Sequence, residues 1–528
     1  MTVPTNASPP KELPTLRQKT TRGILWLAAQ AMATRGATAL QQLALGWLLL
    51  PADFGPIALT YTVTMFVNLV ANPGIDTILV KRQRRFKQWA TPAFWMGLTA
   101  GLAASALMLL LAPVAAKIYE QPELTGLISV LALAPAFQSL QIVPRAQLQL
   151  QMRFRAVALL GVLNNLLLAS LTVSAAFVGM KSYSFVVPVP IVSAIVAATH
   201  WYLVRPHVRR RLELDRWKYL IGSSLTLLAT QALFVFDNQA DNISLGLARL
   251  PESAIGIYWF AFSVAVQSLR LISGSVMTVL FPGLSHLSLE PEKQTRAALR
   301  AMRLLVLVCV PFCLLQTVIT APAFRLLLPA KWTDAILPCQ ILTIGLMVNA
   351  ACWPAASLMN AQGRFRLQLW FTFATSLLLA AMLAGALWYR RSVLSVAWTM
   401  TLWHCLYSPL FHTTAFGQRA PRWSYFRELA PPLVAGLVAS VPSMLLQWYL
   451  PETWSGDLVS LAAGSLVFVI AYLLLIRAIV PASLDDLMQQ VLPLWHRFRG
   501  APPPSGNAES HVPEVVSAGT AADRSKSS

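Results

Sequence analysis

Charge is what this sequence is short of. Asp, Glu, Lys and Arg make up 12% of its 528 residues, about half the ~25% of an ordinary soluble domain. A soluble chain of this length keeps a charged surface, so the shortage argues against a soluble multidomain enzyme. Long polar connections are missing too. None of the loops has room for a catalytic domain, which an integral glycosyltransferase, ligase or polymerase would need to reach a headgroup. No phosphate-cradling Gly loop, His/Cys metal cluster or nucleophile elbow occurs, so no catalytic residue, metal ligand or cofactor is assigned. The five Cys (Cys309, Cys313, Cys339, Cys352 and Cys405) lie in apolar stretches without metal or disulfide spacing and read as small packing residues. Seven His are scattered; His404 and His412 are too far apart for a helical ligand pair and are expected to pack or hydrogen-bond locally. No small-residue cleavage site follows the first apolar run, so that run is expected to stay as a helix with its N-terminus inside.

What the sequence has is apolar length. Hydrophobic residues reach 56%, and a bilayer crossing needs ~20 of them in a row. Fourteen such stretches are predicted: 22–48, 55–79, 89–117, 122–144, 156–179, 183–204, 218–247, 252–279, 300–327, 335–359, 367–389, 392–416, 429–450 and 458–480. Residues 501–528, rich in Pro, Ser, Ala and Gly, read as disordered. The formal charge of +20 raises a rival, a basic nucleic-acid binder. Position decides between them. Thirty-two of the 41 Lys and Arg fall in segments on one side of the predicted spans and seven on the other, with Arg35 and Arg270 inside spans. That asymmetry predicts an even number of spans and both termini in the cytoplasm, with affinity for anionic inner-leaflet lipid and none for nucleic acid.

One segment occurs twice. Residues 41–55 read Q-Q-L-A-L-G-W-L-L-L-P-A-D-F-G, and 241–256 read D-N-I-S-L-G-L-A-R-L-P-E-S-A-I-G. Gly46 aligns with Gly246, Pro51 with Pro251 and, after one inserted residue, Gly55 with Gly256. Each copy ends one span and begins the next on the outer face, where Pro and Gly stop a helix and allow a tight turn. The offset covers six spans, so the halves share an orientation, as in alternating-access carriers with parallel repeats. The predicted fold is an all-α integral membrane protein of about fourteen transmembrane helices. An N-terminal segment 1–21 precedes an N-lobe of six spans (22–204) and a basic linker 205–217. A C-lobe of six spans (218–416) follows, then two additional spans within 417–480 and a cytoplasmic, largely disordered tail 481–528.

These same residues carry a resemblance. L-L-L-P-A-D-F-G-P-I-A-L and N-P-G-I-D-T-I-L-V-K-R in the first half, with M-R-F-R at 152–155, resemble the polysaccharide transporter family. So do D-N-I-S-L-G at 241–246, A-I-G-I-Y-W-F-A at 254–261 and V-L-F-P-G-L-S-H-L at 279–287. The family holds the Wzx-type oligosaccharide-lipid flippases of the multidrug/oligosaccharidyl-lipid/polysaccharide (MOP) superfamily. The resemblance spans roughly 20–420; Leu150 departs from it, standing where a basic residue would precede R-F-R. It implies a V-shaped bundle of two six-helix lobes in a bacterial inner membrane. It implies transport of oligosaccharide on undecaprenyl pyrophosphate for lipopolysaccharide, capsule or exopolysaccharide synthesis. Polysaccharide polymerase or export machinery are the implied partners. Related branches move lipid II or exchange cationic drugs for Na⁺ or H⁺.

Charges inside a span normally face a cavity or a partner. There are five: Arg35, Asp76, Asp237, Asp241 and Arg270. Arg35 and Arg270, one per half, are the candidate headgroup ligands, because Arg offers bidentate geometry to phosphate oxygens. Arg–Asp pairing between helices is the competing role. Asp237 and Asp241, four apart on one helix face, are candidates for H⁺ or Na⁺ coupling or for charge pairing. Asp76 is expected to pair with Lys81 or Arg82. Among neutral polar residues, Gln41, Gln42, Asn68 and Asn242 are the cavity candidates, with interhelical hydrogen bonding as their alternative role. Trp47, Trp89, Trp217, Trp332 and Trp454 are expected in interface belts. The expected activity is a non-enzymatic flippase working by alternating access. The alternatives are a MATE-like cation-coupled drug antiporter and an integral-membrane polymerase or ligase.

Overall fold

The computed structural model describes residues 16–71, 79, 86–206, 208–209, 217, 225–287, 290–421 and 423–481. Within these, the side chains of 16–25, 27–28, 87, 225–228, 268, 270–283 and 285–286 lie outside the description. All regular structure among the described residues is helical. In order it comprises α1 (Leu16–Leu48), α2 (Pro51–Ala71), α3 (Phe86–Tyr119), α4 (Glu123–Leu150), α5 (Phe154–Phe177), α6 (Tyr183–Val204) and α7 (Leu225–Leu247). Then come α8 (Glu252–His286), α9 (Pro291–Leu327), α10 (Ala330–Ala361), α11 (Phe365–Tyr389), α12 (Val393–Phe416), α13 (Ser424–Tyr449) and α14 (Trp454–Ile479). Helices α4 and α10 are each broken into three shorter pieces.

Ten of these are long and apolar enough to cross a membrane: all but α1, α7, α8 and α12. The chain is a multi-pass membrane protein. Inside a membrane each backbone and hydroxyl group needs an internal partner. Buried Thr62, Thr64 and Thr343 accordingly donate to the carbonyls four residues back, Ala58, Thr60 and Cys339. Helix starts use local chemistry as well. Pro51 opens α2, and Asp53 in its first turn accepts the Leu50 N–H at 2.8 Å, a carboxylate answering an orphan donor. Ser392 caps α12 by accepting from Ser395 N at 3.2 Å, directly after the two-Arg turn.

Most helices start or stop within a few residues of the predicted stretches, and several run well beyond them. Helix α9 begins at Pro291, nine residues before the predicted 300, and α1 begins at Leu16 instead of 22. A helix does not end where its apolar run ends; polar turns continue it beyond. Four Cys are buried and Cys405 is exposed. His404 bonds the Met400 carbonyl at 2.7 Å and His412 bonds Ser424 Oγ at 2.8 Å, the expected local roles.

Helix α2 packs extensively on α8, α1 runs along α5, and α7 runs along α11. Helices α13 and α14 pack on each other and on α9. Their dock is polar at both ends. Glu428 takes Arg303 at 2.6 Å, while Arg325 takes Asp457 at 2.8 Å and Glu452 at 3.1 Å. The α2–α8 crossing rests on two glycines. A Cβ on Gly55 would lie 2.9 Å from Glu252 Cα, and one on Gly256 would lie 2.9 Å from the Pro51 carbonyl carbon, each overlapping the neighbouring carbonyl oxygen. Only a residue without Cβ lets these backbones meet. Gly46 and Gly246 meet side chains instead of backbone, the first the tip of Leu328, the second Tyr119 and Leu59.

Trp332 corrects an expectation. Predicted for an interface belt, it is 0% exposed, stacks on Phe260 at 3.9 Å between centroids and donates its indole N–H to Gly46 O at 2.8 Å. The α9–α10 turn folds inward and carries the ring into the core. Trp47 and Trp454, by contrast, are 61% and 69% exposed.

Candidate functional site

Around the α2–α8 crossing, α1, α2, α6, α7 and α8 enclose a cavity of about 330 Å³, within the ~300–1,000 Å³ of ligand sites. Two kinds of wall meet in it. The polar wall comes from three of the less apolar helices: Thr38, Gln41 and Gln42 of α1, Gln239 and Asn242 of α7, and Ser263 of α8. The aromatic wall is Tyr61 of α2 with Trp259 and Phe262 of α8, backed by Phe54 and Phe185. Among the described residues no Asp or Glu lines it.

The polar groups are partly tied down. Thr62 donates to Gln239 Oε1 at 2.9 Å, and Asn242 Nδ2 donates to the same oxygen at 3.3 Å. Gln42 Nε2 bonds Ser263 Oγ, which in turn donates to Phe260 O at 2.7 Å. Gln41 has no partner among the described residues, and Asn242 Oδ1 is buried without one. A buried carbonyl left unmet costs about 1–3 kcal/mol, so the wall is poised for a donor. The aromatic faces are ordered too: Tyr61 and Trp259 lie parallel within 4°, with centroids 6.5 Å apart.

Phe54 closes one end of the cavity. Its ring meets Trp332 at 5.1 Å, Phe185 at 5.3 Å and Phe260 at 5.8 Å, nearly edge to face in each case. This is the end where the α1–α2, α3–α4 and α7–α8 turns gather: Arg249 pairs with Glu120 across it at 2.7 Å, and Lys331 donates to Trp47 O at 3.0 Å.

The sequence-predicted residues distribute as follows. Gln41, Gln42 and Asn242 share the cavity wall. Asn68 is exposed on α2 and does not line it. Arg35 is half-buried on α1, one turn before Thr38 and outside the wall. The side chain of Arg270, on α8, lies outside the described residues, as do Asp76 and its expected partners Lys81 and Arg82. Asp237 accepts from Ser376 Oγ of α11 at 2.5 Å. Asp241 is 0% exposed and accepts from Tyr258 OH of α8 at 2.8 Å and from the Asn242 N–H at 2.7 Å. The two acids therefore hold α7 to different neighbours. The sequence reading missed Tyr61, Trp259, Phe262 and Ser263. For three of these a signal existed, since 259, 262 and 263 fall on one helix face. Among the described residues no group of three or more His, Cys, Asp or Glu can hold a metal ion.

The succinoglycan biosynthesis transport protein ExoT of Rhizobium meliloti is 24% identical over 498 residues, covering 89% of this chain and 96% of ExoT. The teichuronic acid biosynthesis protein TuaB of Bacillus subtilis is 21% identical over 498 residues, covering 90% and 99%. Among solved structures, the lipid II flippase MurJ in an inward closed conformation superposes with a TM-score of 0.69 at 12% identity, over 87% of this chain and 100% of MurJ. The fold is thus MurJ-like. The profile of the polysaccharide biosynthesis protein family matches residues 44–337. That match takes in more than half of the chain and both copies of the Gly-Pro-Gly segment, so the chain belongs to the polysaccharide biosynthesis protein family.

Proposed function

We propose that the chain is a flippase, not an enzyme, and carries polyprenyl-pyrophosphate-linked oligosaccharide across a bacterial inner membrane by alternating access. The carrying observation is the cavity of facing amides and aromatic rings, with no Asp or Glu among its described lining residues. Amides exchange hydrogen bonds with sugar hydroxyls, and the faces of Tyr61 and Trp259 receive the apolar faces of sugar rings. A MATE-like site for cationic drugs would want carboxylates in the wall, and this wall has none among the described residues.

In this reading the fourteen helices are fourteen spans, with both termini cytoplasmic and two six-helix lobes followed by two additional helices. The packing supports the lobes. Pairing of α1 with α5 recurs in α7 with α11, α2 with α3 in α8 with α9, and α4 with α6 in α10 with α12. The glycine contacts are reciprocal. Gly55 of one copy meets Glu252 beside the other copy's Pro251, and Gly256 meets Pro51. The Phe54 cluster then serves as the closed outer gate. The cycle opens it by parting α2 from α8, while the polyprenyl tail stays in lipid. Arg35 and Arg270 are assigned to the pyrophosphate below the sugar cavity and Asp237 to ion coupling by H⁺ or Na⁺; Asp241 ties α7 to α8 through Tyr258. The names of ExoT and TuaB, succinoglycan transport and teichuronic acid biosynthesis, support a polysaccharide-synthesis role; a polymerase or export partner is part of the same proposal.

The test is transfer of a fluorescent oligosaccharide on polyprenyl pyrophosphate across vesicles holding the purified chain. Protein-dependent transfer is expected. Transfer no faster than in empty vesicles refutes the proposal, and unaltered transfer by Arg35→Ala and Arg270→Ala removes the pyrophosphate assignment alone.

A further inference from the structure

A second cavity, of about 420 Å³, lies wholly within the first six helices, between α1, α4, α5 and α6. Among the described residues it shares none with the aromatic cavity, and its wall holds no Asp, Glu, Phe, Tyr or Trp. What it holds is amides, one Arg and one His. Some of these serve the fold. Gln141 Nε2 donates to Ser193 O at 3.0 Å and Asn165 Nδ2 to Gly161 O at 2.8 Å. His200 Nδ1 lies 2.8 Å from Val196 O. A carbonyl only accepts, so Nδ1 carries the proton and Nε2 is left open. Other groups are uncommitted. Arg145, the amides of Gln30 and Asn164, and His200 Nε2 have no partner among the described residues, and all four residues line this one space. Gly161 makes the room: a Cβ there would overlap the Gln30 amide.

Arg145 is itself exposed, so water reaches its guanidinium as well as the amides, and a bound anion would exchange with that water. A cavity whose one charged side chain among the described residues is Arg145, with no carboxylate among them, favours an anion. The amides supply additional donors, and a guanidinium matches the paired oxygens of a phosphate. The approach has the same sign. Arg153 and Arg155 stand at the α4–α5 turn one helix end away, and Arg155 lies 5.3 Å from the centre of the Trp26 ring of α1.

We propose that this second cavity is a binding site for a phosphate-bearing anion, gripped by Arg145 and by the amides of Gln30 and Asn164. Resting on the flippase reading, the anion is the pyrophosphate of the lipid carrier, held before the sugar reaches the aromatic cavity. A soluble pyrophosphate offers the same chemistry.

The test is equilibrium binding of radiolabelled inorganic pyrophosphate, and of sugar-free polyprenyl pyrophosphate, to the purified full chain in detergent. Arg145→Gln is expected to weaken binding roughly tenfold or more, since a charge-assisted, two-pronged contact is lost. Arg145→Lys keeps the charge and should fall between. Arg391→Gln, the same charge change in the exposed α11–α12 turn, should match the wild type. Preference for the polyprenyl form identifies a lipid headgroup, and equal binding identifies a soluble anion. No binding by the wild type, or an Arg145→Gln loss no larger than that of Arg391→Gln, overturns the site. Binding that depends on Arg145 in a chain that transfers nothing across vesicles overturns the flippase reading and leaves the site standing.

Discussion

Replacing Gly256 by Ala tests the α2–α8 crossing directly. The new methyl would overlap the Pro51 carbonyl oxygen and sit 3.1 Å from Phe54 Cβ. Neither obstacle can rotate aside, because one is backbone and the other is a Cβ. Overpacking of this kind costs up to about 3 kcal/mol. Against it stands the ~1 kcal/mol that Ala gains over Gly inside a helix. The net expectation is destabilisation by about 2 kcal/mol, read as a lowered unfolding midpoint of the purified chain in detergent. Gly385→Ala is the internal reference. Nothing lies within 4 Å of a Cβ there, so only the helix gain applies and stability should rise by up to ~1 kcal/mol. The two variants must therefore move in opposite directions. Gly55→Ala should resemble Gly256→Ala, and the double variant should cost less than the two together, because the first methyl already parts the helices for the second. A Gly256→Ala chain as stable as the wild type, or more so, would refute the close-contact argument.

Tyr258→Phe removes the hydroxyl that meets buried Asp241 and should cost about 1–3 kcal/mol; adding Asp241→Asn should recover part of it, and no recovery would mean the pair is not the cause. Arg325→Ala leaves Asp457, 8% exposed at its side chain, without its partner. The loss should stay below the ~3–5 kcal/mol of a fully buried pair because Arg325 reaches solvent, and it should appear as faster proteolysis at the α13–α14 turn. Trp259→Ala should weaken binding of oligosaccharide-bearing lipid by up to about tenfold and leave sugar-free polyprenyl pyrophosphate unaffected. An equal loss for both lipids would show that the ring serves packing and not sugar.

Much of the helical layout was legible because bilayer crossing forces long apolar runs, and those runs announce themselves. The Gly46–Pro51–Gly55 segment and its second copy were legible for a different reason: backbone contact demands residue types that nothing else replaces. What stayed hidden is what depends on partners far along the chain. Trp332 looks like any Trp near a span end, and only the Gly46 carbonyl, 286 residues away, makes it a core residue. Asn68 and Asn242 look alike in sequence; helix rotation alone puts one on the surface and the other in the wall. Gln30, Asn164 and Asn165 were visible as amides inside spans, whereas Arg145 was absorbed by the charge asymmetry of the connections and His200 by its isolation. Neither rule asks which cavity a side chain borders; both residues border the second one, with His200 buried and Arg145 exposed.

The reciprocal glycine contact bears on how the chain came to be. If the halves descend from one duplicated unit, most positions were free to drift apart, since each touches neighbours belonging to its own copy. The Pro-to-Gly segment was not. Each copy's glycine is pressed against the other copy's backbone, so a change in one is felt at once by its twin. Divergence there requires two matched changes. On that premise, the stretch that still reads as a repeat is the stretch where the two copies touch, and the contact between them is what would keep it recognisable.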